Sequence, residues 1–136
     1  MDQNNIKHFQ PIKEEIEKIG KACLDAAFKV HTNLGPGLLE SVYERALLYE
    51  LNKMGLFFEN QRLLPIRYDN IQMESSLRID LLVENCVIVE LKANENIIPL
   101  YEAQLLTYLK LSGIRLDYLI NFNVLHLKNG IKRMVV

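Results

Sequence analysis

The stretch Leu77-Arg78-Ile79-Asp80-Leu81-Leu82-Val83-Glu84-Asn85-Cys86-Val87-Ile88-Val89-Glu90-Leu91-Lys92-Ala93 places charge inside the most apolar, most β-prone part of the chain. Two runs rich in Leu, Ile and Val flank the polar break Glu84-Asn85, the pattern of a tight antiparallel hairpin. Both runs carry apolar residues on both faces, so the hairpin is predicted to lie inside a sheet covered on each side. Asp80, Glu90 and Lys92 interrupt it.

Side chains alternate across a strand, so Glu90 and Lys92 share a face with Ile88, while Val87, Val89 and Leu91 take the other. Asp80 joins that face only if the connection holds an odd number of residues. A loop of Glu84, Asn85 and Cys86 pairs Val83 with Val87 and brings Asp80 opposite Glu90. A plain two-residue turn at Glu84-Asn85 would pair Val83 with Cys86 and send the acids to opposite faces. Two facing carboxylates, with Cβ atoms roughly 5 Å apart, repel each other. A divalent cation removes that objection.

Asp80 followed by Glu90-Leu91-Lys92 at the end of the next strand resembles the signature of the PD-(D/E)XK nuclease superfamily. Upstream, Gly37-Leu38-Leu39-Glu40-Ser41-Val42-Tyr43 is similar to the motif that names the bacterial GxxExxY family, a small branch of that superfamily. The resemblance runs from about His31 to the C-terminus. It implies metal-dependent hydrolysis of phosphodiester bonds in nucleic acid, DNA being the expected partner. Magnesium or manganese would be held by Asp80, Glu90 and the main-chain carbonyl of Leu91, with Glu40 as an auxiliary ligand. Lys92 would serve the attacking water or the phosphate. Gln104 and Tyr108, one turn apart on a predicted helix, resemble a pair that faces the metal site and the nucleic-acid backbone in recombination-type exonucleases.

A chain of 136 residues with 49% hydrophobic content suits one domain and one sizeable core. Lys plus Arg number 16 against 17 for Asp plus Glu, so any phosphate-binding surface must be local. Two cysteines, Cys23 and Cys86, are too few for a zinc or iron–sulfur framework. No basic-then-apolar leader and no run of ~20 apolar residues occurs, which leads to the expectation of a cytoplasmic protein that does not enter a membrane.

Met1–Gln10 is polar and expected to fray, leaving 11–136 as the domain. From Pro11, residues Ile12, Ile16, Ile19, Cys23, Ala27, Val30 and Leu34 recur at helical spacing up to Gly35. Cys23 falls on the apolar stripe and reads as core; His31 reads as structural. A second helix is predicted from about Leu38 to Met54, with Glu40 on the side of Tyr43 and Leu47 and therefore pointing inward. The plainer reading of Glu40 is a carboxylate favoured by the positive end of the helix dipole. Tyr43 reads as a core aromatic whose hydroxyl finds a partner. From Phe57 the pattern turns strand-like, with a bend or sheet edge at Pro65 and a turn at Asp69-Asn70. Gln61 is expected either to face the site or to be an exposed strand residue.

A helix from Pro99 to Leu111, capped by Gly113, then leads to an apolar strand, Leu116–Phe122, in a parallel crossover. Asn129-Gly130 predicts a hairpin joining Val124–Leu127 to Ile131–Val136. That ribbon carries Lys128, Lys132 and Arg133, read as a solvated edge or as a phosphate clamp. The fold class is α/β: a single-domain, PD-(D/E)XK nuclease-like mixed sheet flanked by helices. The rivals to the nuclease are an inactive module on the same fold that binds nucleic acid or protein, and an internal ion-pair network at Glu90 and Lys92.

Overall fold

The computed structural model describes residues 10–96 and 98–136, with the backbone alone at Glu74 and Ser75. Two helices, α1 (Glu14–Leu34) and α2 (Glu40–Lys53), precede three strands, β1 (Phe58–Tyr68), β2 (Ile71–Val83) and β3 (Val87–Lys92). Helix α3 (Pro99–Ser112) then leads to β4 (Leu116–Asn121), a 3-10 turn at Leu127–Gly130, and β5 (Ile131–Val135). The five strands form one sheet in sequence order. Only the β3–β4 pair is parallel, as a strand-helix-strand step through α3 requires. Among the described residues no helix is long and apolar enough to cross a membrane.

The two-sided hairpin explains the layering. Leu81, Val83, Val87, Val89 and Leu91 pack with Leu116, Tyr118 and Ile120 against Cys23, Ala26, Ala27 and Val30 of α1 and Tyr43, Leu47 and Leu51 of α2. On the opposite face Leu82 and Ile88 join Ile79 and Leu109 of α3. Burial of this kind is worth about 1.5–3 kcal/mol per large aliphatic side chain. Cys23 is fully buried in the first cluster, where burial pushes its thiol up to about 12. It is a packing residue there.

Tyr43 gives the GxxExxY-like segment a physical meaning. Its ring is fully buried and stacks on Phe122 with centroids 4.6 Å apart. Its hydroxyl donates to the Gly35 carbonyl at 2.6 Å and accepts from the Leu38 amide at 3.1 Å. One side chain thus fixes the Gly35-Pro36-Gly37 turn and, through it, the start of α2, where Glu40 sits. His31 is also structural: its Nε2 lies 2.8 Å from the Val124 carbonyl, which it meets as a donor.

Pro65 lies in β1, an edge strand, next to a shift of register between Pro65 and Arg67. Helix α3 ends at Gly113, whose φ of 76° is the left-handed cap conformation. Helix α1 begins at Glu14, three residues after Pro11. The expected fraying of Met1–Gln10 falls outside the described residues except at Gln10, whose carbonyl accepts from Arg115 at 2.7 Å.

The terminal ribbon is corrected. Val124–Leu127 forms no strand, and β5 pairs with β4, from Ile120↔Ile131 to Leu116↔Val135. Gly130 does not take the positive φ that an Asn-Gly hairpin turn needs. It is there for contact: a Cβ at this position would lie 2.2 Å from the Asn121 carbonyl oxygen. The Asn-Gly pair therefore seats a 3-10 turn against β4 instead of reversing a ribbon.

Candidate active site

The hairpin loop fixes which acids meet. Glu84 and Asn85 both take left-handed φ, 50° and 56°, and the Cys86 amide donates to the Val83 carbonyl at 3.0 Å. That is the geometry of a two-residue turn, yet Val83 pairs with Val87, so Cys86 is the extra residue that restores odd parity. The ladder continues through Leu82↔Ile88 to Leu81↔Val89 and there gives way to side chains. The Leu91 amide donates to Asp80 Oδ2 at 3.0 Å, and the Asp80 amide to Glu90 Oε1 at 3.3 Å. The two carboxylates replace the next main-chain bonds and open the sheet at this point.

A second irregularity faces them. By alternation from Leu81, Ile79 belongs with the α1–α2 core, but it packs in the α3-side cluster. Across from Asp80, between Asn60↔Leu81 and Arg62↔Ile79, stands Gln61 with φ 54°. A non-glycine residue in this region is strained, and such strain gathers at functional sites.

A cavity of about 220 Å³ opens over the acids, lined by Arg78, Asp80, Glu90, Lys92, Tyr101, Gln104, Leu105, Tyr108 and Leu119. Five residues named from the sequence, Asp80, Glu90, Lys92, Gln104 and Tyr108, thus meet in one cavity. Glu90 is 6% exposed, and its carboxyl is pushed up to about 10, by burial first and then by the Asp80 charge. Burial also raises the Tyr108 hydroxyl, with the Glu90 and Asp80 charges behind it. The Lys92 ammonium sits 4.6 Å from the Tyr101 ring centroid, a cation–π contact that leaves its donors available.

Glu40 differs from its expected placement. It does not point inward; it is exposed at the first turn of α2, because the first residue of a helix overhangs the packed stripe. Its carboxyl is nevertheless raised, by partial desolvation and then by Asp80, with Lys92 opposing. It therefore stands at the rim of the acid pair. The three basic residues of the C-terminal segment do not form one surface. Arg133 pairs with Glu17 of α1 at 2.8 Å and with the Tyr118 hydroxyl at 3.0 Å, whereas Lys132 faces Glu102 of α3 at 3.6 Å. Lys128 lines a separate cavity with His31 and His126. None of the three lines the cavity over Asp80.

Four residues of the site escaped the sequence reading. Asp117, in β4 beside Ile88, is fully buried, and neither carboxylate oxygen finds a hydrogen-bond partner among the described residues. Its carboxyl is pushed up to about 8, by burial and then by Asp80, and its charge acts in turn on Glu90. An acid inside the apolar run Leu116–Phe122 was a signal of the same kind as Asp80. Arg78 stands two residues before Asp80, and Tyr101 three before Gln104, both spacings that favour a shared face. Asn121, opposite Lys92 in the ladder, donates to the Asn94 carbonyl at 2.9 Å and accepts from its amide at 3.2 Å. It pins the chain just beyond Lys92.

Among the described residues no three His, Cys, Asp or Glu side chains converge to hold a metal. Two facing carboxylates do, and they suit a hard divalent cation that keeps part of its water shell. Burial raises Glu90 first, and the Asp80 repulsion that adds to it is the kind a bound cation relieves. The donor set therefore fits such an ion.

Neither a search of curated proteins nor one of solved structures gave a match. The family model for the PD-(D/E)XK nuclease superfamily matches residues 17–134, which contain the whole sheet up to β5, the acid pair and α3. By that match, which spans most of its length, the chain belongs to the PD-(D/E)XK nuclease superfamily.

Proposed function

We propose that the protein hydrolyses phosphodiester bonds in nucleic acid, DNA in the first instance, with magnesium or manganese. The observation that carries this reading is the hairpin register that turns Asp80, Glu90 and Lys92 into one cavity. Asp80 and Glu90, with the Leu91 carbonyl, would hold the cation, and Glu40 at the rim would assist through its water shell. When bound, the ion supplies charge that polarises the phosphate and acidifies water. Lys92, steadied by Tyr101, donates to the attacking water or to phosphate oxygens as they gain charge. Tyr108, its hydroxyl kept protonated, and Gln104 donate hydrogen bonds that orient the phosphate chain. The likeness of Gly37, Glu40 and Tyr43 to the GxxExxY motif supports membership of that branch in this reading, with the cytoplasm as the place of action.

A binding module on the same fold is the second reading. It is favoured by the lack of a third converging side-chain ligand among the described residues and by a Glu90 that holds its proton without a cation. Labelled single-stranded, duplex and branched DNA and RNA, incubated with magnesium or manganese, separate the two. Metal-dependent cleavage supports the nuclease. Retention of the labelled strand intact, with metal-independent binding, supports the module.

A further inference from the structure

Three residues from three elements meet at the mouth of the cavity in a way that an ordinary strand would not allow. Gln61 holds φ at 54°, a left-handed conformation that is strained for a non-glycine residue. Both ends of its side chain are engaged. The amide nitrogen donates to Glu44 Oε1 of α2 at 3.1 Å, and the amide oxygen accepts from Nε of Arg78. A carboxylate only accepts, so Glu44 decides which way the amide points and leaves its oxygen for the guanidinium.

Arg78 lines the cavity beside Asp80, Glu90 and Lys92, and its charge weakly opposes the rise that burial and Asp80 impose on the Glu40 carboxyl. A guanidinium among acids ordinarily pairs with one of them. Among the described residues the Arg78 guanidinium makes no ion pair, and its one hydrogen bond is from Nε to the neutral amide of Gln61. Held this way, both Nη groups stay available. That leaves a planar fork suited to two oxygens of a phosphate.

We propose that Arg78 is a further phosphate-binding residue of this cavity, taking two non-bridging oxygens of a backbone phosphodiester, and that Gln61, aimed by Glu44, is its positioning residue. That the phosphate belongs to nucleic acid rests on the nuclease-fold reading above. The strained φ at Gln61 then has a use. It breaks the alternation opposite Asp80 so that one amide bridges α2 and β2.

Fluorescence anisotropy with a labelled single-stranded oligonucleotide, in chelator and at low salt, tests this without cleavage. Arg78→Ala should weaken binding about tenfold and reduce the magnitude of the log-affinity against log-salt slope by about 0.7, one phosphate contact. Arg78→Lys should recover only part, since it restores charge without the fork. Gln61→Gly should keep or raise the melting temperature, because glycine adopts positive φ freely, while affinity falls toward that of Arg78→Ala. An Arg78→Ala protein with wild-type affinity and slope would overturn the phosphate assignment, as would a wild-type protein that does not bind. A Gln61→Gly protein that keeps full affinity, or loses stability and affinity together, would overturn the positioning role. Failure of the nuclease reading looks different: wild type and variants keep this ranking in binding, yet no metal yields cleavage.

Discussion

At the scale of single residues, the site is a set of charges whose environments oppose their ordinary states. Glu90 is raised to about 10 and Asp117 to about 8, both by burial before any neighbour's charge. Both exceed the ~4 expected of carboxyls in an unfolded chain. The native state therefore binds more protons than the unfolded one, and its stability falls as pH rises from ~4 through the folded values. In the metal-free protein, Asp117→Asn should lessen, without abolishing, the loss of stability between about pH 4 and pH 8, leaving the loss due to Glu90, which runs from about pH 4 to about pH 10. Urea midpoints measured across that range check the prediction; an unchanged pH profile contradicts it. In the proposed mechanism Lys92 would act on the reaction more than on the fold. Lys92→Ala should lower metal-dependent cleavage about 100-fold or more while preserving the melting temperature and metal binding. A wild-type rate in the quenched-flow or gel assay would remove Lys92 from the mechanism. Tyr101→Phe, which keeps the ring beneath the ammonium, should retain the rate, whereas Tyr101→Leu should lower it several-fold, as a cation–π contact of about 0.5–2 kcal/mol implies. Equal rates for the two variants would leave Tyr101 as a mere wall. Asp80 and Glu90 were legible because alternation in a strand is strict and two acids in an apolar hairpin are conspicuous. Glu40 was read inward because a helical period says nothing of where the helix starts over its support. Asp117 was passed over for want of a neighbouring motif, though its burial is the more complete.

The elements show where sequence pattern is a reliable guide and where it is not. The helix boundaries and the parallel β3–β4 step follow from apolar spacing, Gly35, Pro99 and Gly113, whose effects are local. The Glu84-Asn85-Cys86 loop was legible only as a choice between parities. It resolves as a tight turn followed by one extra residue, because the buried residues on both faces of β2 and β3 admit a single register. The Asn129-Gly130 pair misled because Gly serves two purposes, left-handed φ and close approach, which the sequence does not distinguish. Here the approach to the Asn121 carbonyl decides. Gly130→Ala should accordingly destabilise the protein by about 1–3 kcal/mol, the cost of overpacking, read as a lower chemical-denaturation midpoint. A wild-type midpoint would contradict the close approach to the Asn121 carbonyl as the reason for glycine here. The three basic residues of that segment became separate partners once the ribbon was lost, since neighbours in a strand face opposite ways: Lys132 to α3, Arg133 to α1.

On the scale of the whole molecule, the helices and the sheet's own defects make the cavity. Helices α1 and α2 cover one face; α3 covers the other and brings Tyr101, Gln104 and Tyr108 over the point where β2 and β3 part. A sheet paired to its end would have no room for a phosphate there. The strain at Gln61, the carboxylates in place of ladder bonds and the unpartnered Asp117 all lie within this one region. Each has a cost, and in the proposed function a shared cation would offset one further cost of the region, the repulsion between Asp80 and Glu90 that adds to the burial of Glu90. The proposed function requires that these two acids jointly hold one divalent ion. Electron paramagnetic resonance of a manganese titration tests it most directly, by counting the ion that leaves the free hexaaqua signal. The prediction is one bound manganese per chain in the wild type, lost in Asp80→Asn and in Glu90→Gln and retained in Lys92→Ala. Wild-type binding that persists in both acid variants, or a wild type that binds no manganese, would contradict it.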